Sequence, residues 1–372
     1  MTGSSSPRGA SGACLGRMHL MPWLFAAALA SACTAESPPP IAACGALAAG
    51  RTVTPGGPPA LADVWVGPSI VVAVGAAGTV GVRDDARAMW CWTVVDAATD
   101  WRAVWGSGDD DVWLVGTAGA VVHYDGTAFT PVAVGATAAL AGVWGTGQDD
   151  VWLVGAAGTV RHFDGAAWAS HDLAADQTLL AVWSASSDDV WIAGTEPAPY
   201  PGNPSYDGSS GIIYRWAPAT ATWGLELRDT RYYGVASFLA LHGSDGANLW
   251  AVGVDHPAGA ACGIAGLARR DGAAWDEVAG APTECSTLAD VAAGAPGATD
   301  GAWVVGSREP GRAASGTSKY AGGVWTYYSG DAITDHLIAI AYRGDRMWAI
   351  GRDDAGGPKI IRWDGAGWIE EE

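Results

Sequence analysis

The chain has 372 residues, 39 of them Asp or Glu and 20 Lys or Arg, for a formal charge of −19. A surface that acidic repels polyanions and argues against nucleic acid as a partner. The 49% of apolar residues suffices for a core, and 53 Gly with 21 Trp against 4 Phe point to many tight turns around bulky aromatic rows.

The first segment reads as a targeting signal. Arg8, Arg17 and His19 precede the apolar stretch Leu20–Ala32, which is too short to span a bilayer, and Met18 or Met21 are alternative starts. Small residues then lead into Cys33, as Leu29-Ala30-Ser31-Ala32-Cys33. This resembles the lipobox of bacterial lipoproteins. The resemblance implies removal of residues 1–32, lipid modification of Cys33, and a place in the bacterial cell envelope, on the outer membrane or cell surface. An ordinary signal peptide cut near Ala32 is the other reading. Residues 33–60 are rich in Pro and Ala and read as an extended tether from a membrane anchor.

Apart from Cys14 and Cys33, four cysteines are present: Cys44, Cys91, Cys262 and Cys285. No CxxC pair or His/Cys cluster has metal spacing, so neither a metal nor a cofactor is expected. An even number in an exported chain suggests two disulfides, Cys44–Cys91 and Cys262–Cys285, with four free thiols as the alternative.

From residue 61 the chain repeats. VWGSGDDDVWLVGTAGAVVHYDG (Val104–Gly126) and VWGTGQDDVWLVGAAGTVRHFDG (Val143–Gly165) are offset by 39 residues, and VWSASSDDVWIAG opens a third copy at Val182. Repeats of about 40 residues built from short strands mark a β-propeller. The apolar run ending in Gly recurs seven times, as VVAVG at Val71, VWLVG at Val112 and Val151, VWIAG at Val190, LWAVG at Leu249, AWVVG at Ala302 and MWAIG at Met347. An Asp-Gly hairpin turn follows four of these runs, with an aromatic three residues later. The expectation is an all-β, seven-bladed propeller over 61–372. Each blade is a four-stranded antiparallel sheet, with blades at about 61–100, 101–139, 140–178, 179–235, 236–285, 286–333 and 334–372. Its recurrent Trp (Trp113, Trp152, Trp191, Trp250, Trp303, Trp348) fill the gaps between blades, and its Asp-Asp turns gather on one acidic face.

VWGSGDDDVWLVGTAGAVVHYDGTAF is similar to tectonin repeats, and more loosely to the bacterial neuraminidase-repeat and YVTN-like propellers. The likeness to tectonins implies recognition rather than catalysis. The Asp-box pattern of sialidases is matched only in part, by Ser244-Asp245-Gly246 ahead of Trp250.

No nucleophile elbow, zinc-protease helix or phosphate-binding loop is present, so no catalytic residue is assigned. Departures from the repeat concentrate in blades 4–7, where the loops after the second strand lengthen and the first-strand Trp is lost, His242 standing in its place. Loops on one face of a propeller are where binding is expected. The candidates there are Tyr200, Tyr206, Asp255, His256, Arg308, Glu309, Arg312, Arg352 and Asp353, with His242 nearer the axis. His123 and His162 recur at one repeat position and read as packing. The functional expectation is a monomeric, non-catalytic envelope lipoprotein that recognises a glycan or protein. A scaffold in an envelope assembly and a propeller-type polysaccharide hydrolase or lyase are the alternatives.

Overall fold

The computed structural model describes residues 60–371 except 87, 198–207, 230–234, 256–263, 279–285, 299, 309–315, 329–335 and 354. Twenty-eight strands form seven antiparallel groups of four, each in chain order. The innermost strands are Leu61–Val66, Trp101–Gly108, Leu140–Gly147, Thr178–Ser186, Ser237–Asp245, Ser286–Ala293 and His336–Arg343. Each packs on the next, and His336–Arg343 packs on Leu61–Val66, so the seven blades close into a ring. Blades 6 and 7 share one sheet through a single bridge, Ser307 to His336. No helix among the described residues is long and apolar enough to cross a membrane.

The recurrent apolar run is the second strand of each blade. It is covered on both faces by neighbouring blades, so in Asp111–Gly116 every residue is buried and the run shows no alternation. The Gly that ends it is required by close approach. A Cβ on Gly116 would lie 2.4 Å from the Asp100 carbonyl oxygen, and on Gly253 2.0 Å from that of Ser237. The same contact recurs at the equivalent Gly of all seven blades. Asp-Gly turns form as expected: Asp125 Oδ1 accepts the amides of Thr127 and Ala128, and Gly126 takes φ +85°.

The second-strand Trp rows do fill the gaps between blades. Trp113 meets Trp168 of the next blade at 5.6 Å, Trp152 meets Trp216 at 5.3 Å, and Trp250 meets Tyr320 at 5.4 Å. Trp303 meets Trp363 at 5.0 Å, and Trp348 completes the circle against Trp90 of blade 1 at 5.9 Å. A basic or imidazole side chain also stands across the strand pair from each of these Trp in its own blade. The cross-strand partners of Trp113, Trp152, Trp191, Trp250, Trp303 and Trp348 are His123, His162, Arg215, Arg269, Lys319 and Arg362. His162 stacks on Trp152 at 3.9 Å, and Arg269 lies over Trp250 at 5.1 Å.

The acidic turns hold more than exposed charge. In each pair the second Asp turns inward. Asp111 accepts the Trp113 indole N–H at 3.1 Å and sits 2.7 Å from His123 Nε2, and Asp150 repeats this with Trp152 and His162. In blade 4, Asp189 holds Trp191 and Arg215. Burial opposes ionisation of Asp111 and Asp150, but the hydrogen bonds from His, Ser or Thr and Trp outweigh it and hold both carboxyls below the usual carboxylate value.

Blades 1 and 7 each draw four strands from their own segment of chain, and the seam between them is clasped by side chains. Arg346 pairs with Asp85 and donates to the Gly67 carbonyl. Arg83 lies over Trp348 at 4.7 Å and bonds Asp85 at 2.9 Å and Glu371 at 3.2 Å.

Candidate functional site

The first strands surround an axial cavity of about 540 Å³. Aligning these strands on their common bulge explains its wall. Ala62, Arg102, Leu180, Leu239 and Ile338 face it from the end where the strands begin. The fifth aligned position supplies Trp65, Trp105, Trp144 and His242, followed by Ala341 in blade 7. Aromatic rings here need room, and the next blade provides it. A Cβ on Gly106 would lie 2.9 Å from the Trp65 ring, and one on Gly145 2.7 Å from the Trp105 ring.

His242 replaces the Trp in blade 5 and ties three other blades to its own. Its Nδ1 accepts the Ala293 amide of blade 6 at 3.2 Å, while its ring meets Trp144 of blade 3 edge to face at 5.4 Å and Tyr342 of blade 7 at 5.8 Å. Tyr342 donates its hydroxyl to the Ala293 carbonyl at 2.7 Å. Trp144, His242 and Tyr342 therefore narrow the channel. Burial alone pushes the imidazole pKa down to about 4, so the ring is neutral at pH 7 with its hydrogen on Nε2.

Two residues in this wall escaped the sequence reading. Asp63 and Asp290 occupy the third aligned position, where the other blades carry Ala103, Gly142, Ala181, Ala240 and Ala339. Both line the cavity. Asp63 accepts the Val64 amide at 2.7 Å and, across the blade boundary, the Val104 amide at 2.8 Å. Asp290 accepts Val291 and, from blade 7, Ile340, each at 2.8 Å. Burial raises the Asp63 carboxyl to about 8, with the charge of Asp290 adding to it, and burial raises Asp290 to about 7. The signal was available in the repeat: an acid at a position otherwise reserved for Ala or Gly.

The structure separates His242 from the loop candidates. His242 pairs with Trp250, three residues from the first turn of blade 5, whereas Asp255 ends the same second strand beyond the Ser237–Val254 pair. Five residues of strand put them about 17 Å apart along the blade. Arg308 likewise ends its strand at the loop face, paired with Ser286, and Arg352 pairs with His336. Asp353 accepts the amides of Ala355 and Gly357 at 2.9 and 2.7 Å, so its carboxylate shapes its own turn. Tyr200, Tyr206, His256, Glu309 and Arg312 lie outside the described residues, as do Cys33, Cys44, Cys262 and Cys285. Cys91, in the outer strand of blade 1, is disulfide-bonded. Among the described residues no group of three or more His, Cys, Asp or Glu could hold a metal ion.

No protein-family profile matches the chain, and no curated protein does either. Solved structures do resemble it. YCF48 bound to D1 peptide is 13% identical with a TM-score of 0.58, over 84% of this chain and 98% of that one. Virginiamycin B lyase from Staphylococcus aureus is 13% identical with a TM-score of 0.57, over 78% and 91%. The β-propeller domain of the Trilobed protease from Pyrococcus furiosus is 11% identical with a TM-score of 0.57, over 84% and 97%. At these identities the likeness establishes the β-propeller fold and leaves the choice between binding and catalysis to the site itself.

Proposed function

We propose that this propeller is a non-catalytic recognition module that binds a protein partner over the axial cavity, from the face carrying the long loops of blades 4–7. One observation carries the reading. The channel wall abandons the repeat in blades 5–7, where His242, Ala292 and Ala341 replace the ring's Trp toward the turn end, in blades whose second-strand loops lengthen at the other end. A scaffold needs its repeat everywhere, and a binding site needs it broken somewhere. A propeller of similar fold bound to a peptide, YCF48, supports a protein partner over the glycan suggested by the tectonin likeness.

The reading places the module at the bacterial envelope, held by lipid on Cys33 with residues 34–60 as its tether. Metabolic labelling with a palmitate analogue should depend on Cys33, and labelling that persists in C33S would remove the anchor. The partner is tested by crosslinking the full chain in native envelopes. Crosslinks from the long-loop face to one protein support the reading. Selective signal on a glycan array with no protein crosslink would replace it.

A further inference from the structure

The carboxylates of Asp63 and Asp290 face the channel half-buried, and among the described residues no side-chain cation is bonded to either, although Arg102 and Arg343 also line the cavity. Each oxygen of each group accepts one backbone amide, which satisfies hydrogen bonding but brings no net positive charge. Among the described residues neither forms an ion pair with Lys, Arg or His, and the two repel each other across the cavity they share. A carboxylate held partly out of water favours a proton or a cation beside it.

A second feature of the same cavity points to a ligand independently. The neutral ring of His242 uses Nδ1 to accept the Ala293 amide, which leaves Nε2–H as a donor with no acceptor among the described residues. Trp105 and Trp144 line the same space, and their faces suit an organic cation. A metal ion suits it poorly. Calcium takes six to eight oxygens, and two carboxylates already committed to amides on separate blades cannot supply them.

Resting on the protein-partner reading above, we propose that the axial cavity captures an organic cation of the partner. This is a Lys or Arg side chain or a free N-terminal amine, held between Asp63 and Asp290, with His242 Nε2–H donating to a carbonyl of the same segment. Trp144, His242 and Tyr342 narrow the turn end of the channel, so the cation enters past Leu239 and Ile338 from the loop face. The chain's charge of −19 steers such a group toward it.

The test uses the full chain, two blocked peptides, Ac-Ala-Lys-Ala-amide and its norleucine counterpart, and a third, Ala-Ala-Ala-amide, with a free amine. Calorimetry should show binding of the Lys peptide, the free-amine peptide, or both, which distinguishes the side-chain source from the terminus, and none of norleucine. D63N and D290N should each weaken that binding by roughly tenfold or more. Equal binding of norleucine overturns the proposal, as does undiminished binding by Asn variants that melt like the parent. Displacement of the peptide by stoichiometric calcium also overturns it. Should the Asn variants fail to fold, methylguanidinium chloride must compete with the peptide on the parent protein better than sodium chloride at equal ionic strength; equal effects of the two salts overturn the proposal. A partner crosslinking equally to parent and D63N/D290N removes the cation site but keeps the partner, whereas no partner crosslink removes both.

Discussion

The rings of Trp144 and His242 meet edge to face at 5.4 Å, although the residues belong to blades 3 and 5. That contact joins non-adjacent blades across the channel, and His242 makes it as a neutral ring. Its folded pKa of about 4 lies below the ordinary 6.5, so its contribution to stability is present above pH 6.5 and is lost as pH falls toward 4. The loss amounts to at most about 3 kcal/mol. Urea denaturation of parent and H242F between pH 7 and 4 should converge by that amount as pH falls. Parallel curves would remove the buried neutral imidazole.

The two channel carboxyls act in the opposite sense. Their folded values of about 8 and about 7 lie above the ordinary 3.8, so the stability they contribute is full below pH 3.8 and is lost as pH rises through 7 and 8. From pH 5 to pH 9 the melting temperatures of D63N and D290N should therefore gain on that of the parent, over a pH-independent cost for the one backbone amide that loses its acceptor. A difference independent of pH would contradict enclosed, titrating acids.

Asp149 and Asp150 adjoin in sequence but differ in what they hold. Asp150 anchors Trp152 and His162, while Asp149 is exposed in the turn. D150A should cost about 1–3 kcal/mol, and D149A within about 0.5 kcal/mol of nothing. Equal costs by thermal denaturation would return the pair to a simple turn role.

The seam rests on Arg83, whose side chain is 8% exposed between Asp85, Glu371 and Trp348. R83A takes one arginine from two carboxylates that keep Arg346 and Arg362, and should cost about 1–3 kcal/mol, against less than about 1 kcal/mol for R228A, which breaks the more exposed pair with Glu196. A cost for R83A no larger than that of R228A, measured in urea, would place ring closure elsewhere.

The architecture was legible because the ring imposes one steric demand seven times. Each second strand is covered on both faces and ends where only Gly clears a neighbouring carbonyl, so VWLVG survives in sequence as VWIAG, LWAVG and MWAIG. The inward Asp111, Asp150 and Asp189 were less legible, since an Asp in a turn looks the same whether it faces solvent or an indole. The pairing of every such Trp with His, Arg or Lys was hidden by its chemistry, because a cation and an imidazole serve the same ring face without sharing a letter. Asp63 and Asp290 were missed for a different reason. They stand in the first strands of blades 1 and 6, away from the loops that drew attention, and only the register of the bulged first strands brings them to one channel.

The central claim is that a protein partner is held over the axial cavity. Its most direct test is a photo-crosslinking amino acid placed in the full chain in native envelopes, at Leu239 on the loop side of the channel or at Leu225 on the exposed outer strand of blade 4. A discrete crosslinked protein from position 239 and none from position 225 is the predicted result. A crosslink from 225 with nothing at 239 would contradict the account and move recognition to the rim of the ring.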